Sequence, residues 1–252
     1  DLRRFLNREP ITARRASIIY KINKRIRKHP GLVTAAVIVA LSFAALGALS
    51  LRANLRTRRQ AAIAQTLTEQ AKEIEGFARV SAMMPLHDRT PERSEIRERM
   101  ASIEAEMARL GAISDGPGHY ALGRGYLTLL DEQNARNHLE LAIDRGYSGP
   151  GVSYALGMVL GRLYQRELDL ARRIENEELR TARIAEIERD LREPALAHLR
   201  SGSGSSVEAS GYAEALIEFY GGDLEEALAA TRQAFKNEKW LYEAKRLEGD
   251  IL

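Results

Sequence analysis

Apolar residues run almost unbroken from Gly31 to Leu51, GLVTAAVIVALSFAALGALSL, with hydroxyls at Thr34, Ser42 and Ser50 and no charge. At about 1.5 Å of rise per residue, a helix of this length covers roughly 30 Å, the thickness of a bilayer's hydrocarbon core. It lacks the polar stripe of a buried helix, so the pattern predicts a single transmembrane helix over 31–51. Beyond it the apolar positions become periodic. Ile63, Leu67, Ala71, Ile74, Phe77 and Ala78 recur at three and four, which predicts an amphipathic helix from Arg52 to Ala82, broken at Met83, Met84 and Pro85. A further helix is expected with Thr90 as N-cap and Pro91 at its first position. Its seam is Ile96, Met100, Ile103, Met107 and Leu110, and Gly111 ends it. Residues 52–110 thus read as a helical stalk or hairpin, able to pack within one chain or to dimerise.

From Gly116 onward the sequence repeats. Leu122, Gly123, Tyr126, Ala135, Leu139 and Ala142 follow the tetratricopeptide pattern of paired antiparallel helices, with small residues at the close crossings. Gly157, again preceded by Leu, lies thirty-four residues after Gly123, and Ala215 and Gly249 are separated by the same interval. Gly222-Asp223, Ala227 and Ala234 belong to a further unit. In the second unit the small and apolar residues of the return helix come only at Ala195 and Leu199, twenty-six residues late. The inserted stretch, about 162–193, holds seventeen charges in thirty-two residues, with i,i+4 pairs such as Asp169 with Arg173 and Glu188 with Arg192. It is expected to be a long helical arm standing off the array, either solvated or docking a partner. Ser201 to Ser206, SGSGSS, reads as a flexible turn. The predicted fold is all-α: transmembrane helix, stalk, then an α-solenoid of tetratricopeptide-like repeats over 111–252.

In such repeats the first helix of each pair lines the concave side. The residue three before each close crossing then points into the groove, which selects Tyr120, Tyr154 and Tyr212. Arg124, Met158 and Arg162 lie one turn further along the same faces. These six residues are the candidate groove for a protein or peptide ligand, tyrosine and arginine being enriched at binding hot spots. The same spacing also allows the tyrosines to pack helix against helix.

Charge orients the chain. Residues 1–30 carry ten Lys and Arg against two acidic residues, while only Arg52, Arg56, Arg58 and Arg59 follow the apolar run closely. The positive-inside rule places the N-terminal side in the cytoplasm and the C-terminal region outside it, in a single-pass inner-membrane topology. A signal peptide would have a shorter apolar run and a cleavage site. Residues 60–252 are net acidic, which argues against nucleic acid as a partner; the basic segment suits the bilayer surface instead. Ala40, Ala44 and Ala48 form a strip of small residues through which two spans could dimerise.

Catalytic and cofactor chemistry has no motif here. There is no cysteine, and the five histidines show no i,i+3 or i,i+4 pair for a helical metal site. His87-Asp88 reads as a turn or cap. The glycines of DGPGHYALGRG lack the flanks of a phosphate loop and read as a turn opening a helix.

The first residue is Asp1, so the chain reads as a fragment or a processed form. DLRRFLNREPI at 1–11, the basic stretch, the single span, MMPLHD at 83–88, HYALGRGYL at 119–127 and VSYALGMVLGRLYQREL at 152–168 together resemble the membrane-anchored bacterial serine/threonine protein kinases. The resemblance implies that residues 1–30 follow a kinase domain, that ATP and Mg belong only to that upstream domain, and that this chain is its anchor and extracytoplasmic sensor. The other reading is a membrane-tethered scaffold for envelope protein assembly, with no kinase.

Overall fold

A computed structural model describes residues 30–85, 87–203 and 210–252; within them the side chains of 30, 32–34, 36, 37, 40, 53, 56 and 210 are not described. The described residues are all-α, with no strand. The chain divides into two units, Asp1–Arg59 and Gln60–Leu252.

The first element, α1, is the 54-residue helix Pro30–Met83. In the first unit the described apolar side chains of this helix are exposed. Ile38, Val39, Leu41, Phe43, Leu46, Leu49 and Leu51 are between 53% and 71% exposed. The hydroxyl of Ser42 donates to the carbonyl of Ile38 at 2.9 Å, so this polar side chain of the run is satisfied within the helix. Among the described residues no helix is long and apolar enough to cross a membrane, six of the twenty-one side chains of 31–51 being outside the description. Ala44 and Ala48 are exposed on this helix. The side chain of Ala40 and the basic segment 1–29 lie outside the described residues.

The second unit is a succession of packed helix pairs. The C-terminal part of α1 pairs with α2 (Thr90–Leu110) through the expected seam: Leu67, Ala71, Ile74 and Ala78 are buried with Ile96, Met100 and Ile103. The cap lies one step earlier than the sequence suggests. Thr90 is already helical, and the Asp88 carboxylate accepts its N–H at 2.9 Å and its hydroxyl at 2.7 Å. Gly111, at φ 69°, ends α2 as expected. The same core takes in Ala121, Leu122 and Leu129, so the stalk pair is continuous with the repeats.

Next come α3 (Ala112–Thr128) and α4 (Glu132–Asp144), which pack together. The glycine run lies inside α3 and does not form the expected turn. A Cβ on Gly118 or Gly125 would meet the Met107 or Met100 side chain below 3 Å, so these glycines let α2 approach. On the other side of α3, a Cβ on Gly123 would stand 2.7 Å from Leu139 Cγ and 3.3 Å from the Ala135 carbonyl.

α5 (Pro150–Ala171) pairs with α7 (Glu193–Gly202), the late return helix read from Ala195 and Leu199. A Cβ on Gly157 would meet Leu199 Cγ at 2.7 Å and the Ala195 carbonyl at 3.1 Å, the same crossing as at Gly123. Between them the insert is not a free-standing arm. α5 overruns to Ala171, α6 (Glu177–Ile187) folds back on it, and a π-turn at Glu188–Arg192 leads into α7. Leu168, Ala171 and Ile187 are buried, which holds the excursion down. Of its expected ion pairs, Arg192 with Glu188 forms at 2.8 Å, whereas Asp169 pairs with Arg172 and not with Arg173. Helix α7 continues through Ser201 and Gly202, so the SGSGSS turn starts later than expected; 204–209 lie outside the described residues. α8 (Ser210–Gly221) pairs with α9 (Leu224–Asn237), and α10 (Tyr242–Ile251) closes the array against α9. Ala227 and Ala234 are buried like Ala135 and Ala142.

Candidate partner-binding groove

All six residues selected by spacing line one concave cavity of about 460 Å³. Tyr120 and Arg124 come from α3, Tyr154, Met158 and Arg162 from α5, and Tyr212 from α8. The register that selects them arises because the first helix of each pair turns the same face inward. The tyrosines also serve as packing: they are only 5%, 6% and 8% exposed, and Tyr154 and Tyr212 belong to one apolar core and Tyr120 to another. Sequence reasoning posed groove and core as alternatives; the rings do both.

Helix α1 supplies one wall and α10 another, and neither was among the selected residues. Glu75 of α1 and Tyr242 and Glu243 of α10 line the cavity. A signal for them existed. Glu75 stands three before the buried Ala78, as Tyr120 stands three before Gly123. The thirty-four-residue step to Gly249 leads by the same rule to Arg246, which lines a second cavity of about 690 Å³. The two cavities share Met158, Arg162, Tyr212, Tyr242 and Glu243 as a common wall.

The cations differ in their partners. Arg124 makes a two-pronged ion pair with Glu75 and donates to the Tyr120 hydroxyl at 2.6 Å. Burial alone would lower its pKa; the Glu75 charge and the Tyr120 hydroxyl outweigh burial and raise it, so Arg124 stays charged. Arg79 pairs with Glu243 at 2.9 Å and lies 4.8 Å from the Trp240 ring centroid, tying α1 to the final helix. Arg162 donates to the Leu127 carbonyl at 3.3 Å and makes no ion pair among the described residues. The Oε2 of Glu243 is buried without a hydrogen-bond partner among them. Burial raises the phenol pKa of Tyr154 and Tyr212 and pushes that of Tyr220 up to about 12, so all stay neutral and able to donate.

Outside the groove, His119 and His138 meet across α3 and α4 with Nδ1 atoms 3.0 Å apart. They are nineteen residues apart on different helices, which is why no sequence spacing revealed them. Among the described residues no cluster of three His, Cys, Asp or Glu could hold a metal. His87 bonds the Pro85 carbonyl and Glu92, and with Asp88 it organises the turn before α2.

No protein-family model, no curated protein and no solved structure matches the chain.

Proposed function

We propose that this chain is the membrane anchor and extracytoplasmic interaction region of a bacterial serine/threonine protein kinase, binding a protein or peptide in the groove of tetratricopeptide-like repeats. The convergence of Tyr120, Arg124, Tyr154, Met158, Arg162 and Tyr212 on one concave cavity carries the binding part of this reading. Three tyrosines and two arginines in a recess are the residue types that anchor protein interfaces. The repeat reading gains from the matched crossings at Gly123 and Gly157, each set against the Leu and Ala of its return helix.

The anchor rests on the uncharged run 31–51 and on α1, whose described apolar side chains in this unit are exposed. Large exposed apolar surfaces mark sites where another apolar phase covers the protein. The basic residues before the run orient it with the N-terminus in the cytoplasm. The kinase rests on the resemblance of the N-terminal and repeat segments, and the chain carries no catalytic residue of its own in this reading.

Site-specific photocrosslinking in membranes tests the groove. A photoreactive residue in place of Met158, half-buried in the wall common to both cavities, is expected to capture a discrete protein or peptide. Capture from Leu179 on α6, which is 63% exposed, and not from Met158 would move the site to the insert and overturn the groove.

A further inference from the structure

The groove differs in charge from the unit that contains it. Residues 60–252 carry twenty-four Lys and Arg against thirty-three Asp and Glu. The first cavity reverses the balance, with Lys72, Arg79, Arg124 and Arg162 against Glu75 and Glu243. Both carboxylates are already engaged, Glu75 with Arg124 and Glu243 with Arg79. Arg162 is half-buried, bonded only to the Leu127 carbonyl and without an acidic partner among the described residues. A partly desolvated guanidinium offers several donors in a planar fork that fits a carboxylate two-pronged. Phenols surround it: Arg162 acts on Tyr212, Tyr220 and Tyr242, lowering pKa values that burial raises. Glu243, in the same wall, has an Oε2 that needs a donor. A ligand offering an anion alone would leave that oxygen unmet, whereas a peptide brings backbone N–H groups with its carboxylates.

We propose that the groove takes an extended acidic peptide, with a side-chain carboxylate on Arg162, the Tyr212 and Tyr242 hydroxyls donating to it, and a backbone N–H meeting Glu243. This rests on the reading of the cavity as a partner site. The peptide runs through the wall common to both cavities, and charge complementarity selects it over basic or apolar segments.

The test uses the full chain in lipid nanodiscs and fluorescein-labelled decapeptides of alternating Ala with Glu, Gln or Lys, read by anisotropy. The Glu peptide is expected to bind most tightly. Arg162→Gln is expected to weaken it about tenfold, and Arg162→Lys, which keeps the charge and loses the two-pronged fork, about threefold. Tyr212→Phe keeps the ring in the core and is expected to weaken it about threefold with the melting temperature unchanged. Equal affinity of Arg162→Gln and wild type would put binding on the basic segment and overturn the proposal. Tighter binding of the Gln or Lys peptide, crosslinked from position 158, would overturn the acidic class and leave the groove. If no peptide bound or crosslinked there, both would fall.

Discussion

At the scale of residues, glycines that look alike in the sequence have opposite roles. Gly157 has backbone and side chain of α7 where its Cβ would go, with Leu199 N at 2.9 Å, whereas Gly76 in α1 has nothing within 4 Å. Gly157→Ala is therefore expected to cost about 1–3 kcal/mol, since α5 and α7 must separate. Gly76→Ala should gain about 0.5–1 kcal/mol by helix propensity. Thermal melts of the two variants should move in opposite directions, and a stable Gly157→Ala protein would show that the crossing is loose. Titration gives a second expectation. Burial lowers the pKa of His119, with Arg145 adding to it and Asp115 opposing, and burial together with His119 lowers that of His138. Tyr126 stacks on His138 with ring centroids 5.1 Å apart. The shared Nδ1 bond needs one ring to accept, so it cannot survive with both rings protonated. A folded pKa held below the unfolded value of about 6.5 gives stability that is complete above that pH and lost as pH falls below it. Melting temperature should drop between pH 7.5 and 5.5, and His138→Gln should flatten the drop; an unchanged slope would remove the pair as its cause.

At the scale of elements, much was legible because periodicity survives wherever one face is buried. The seams of α1 and α2 were readable from Ile63 to Leu110, and the late return helix from Ala195 and Leu199, because small residues are tolerated at crossings for packing alone. The departures have physical reasons. Glycines inside α3 read as a turn because the sequence does not tell a backbone bend from a close neighbour. The insert read as an arm standing off the array because its charges outnumber residues such as Leu168, Ala171 and Ile187 that pin it. The wall from α1 was missed because the repeats were counted only from Gly116, and that from α10 because Gly249 marks no close crossing, a Cβ there meeting nothing within 4 Å. The joint between α1 and α3 carries the clearest energetic expectation. Arg124 and Glu75 are 14% and 12% exposed, so removing one charge strands the other. Glu75→Gln should cost about 3–5 kcal/mol, the usual penalty for breaking a buried pair. Denaturant unfolding measures it, and a loss below 1 kcal/mol would mean that water reaches the pair.

At the scale of the whole molecule, the chain carries two kinds of apolar surface. In residues 60–252 apolar side chains find one another; in the part of α1 before Gln60 the described ones are exposed, a surface that suits lipid. On the proposed reading, the basic residues before Gly31 put the groove outside the cytoplasm by the positive-inside rule. The absence of cysteine from the sequence makes this directly measurable. Single cysteines at Lys24 and at Glu225, an exposed position on α9, can be treated in intact cells with a membrane-impermeant maleimide. Glu225→Cys is expected to be labelled before lysis and Lys24→Cys only after it. Labelling of Lys24→Cys alone in intact cells, or of neither until lysis, would contradict this topology.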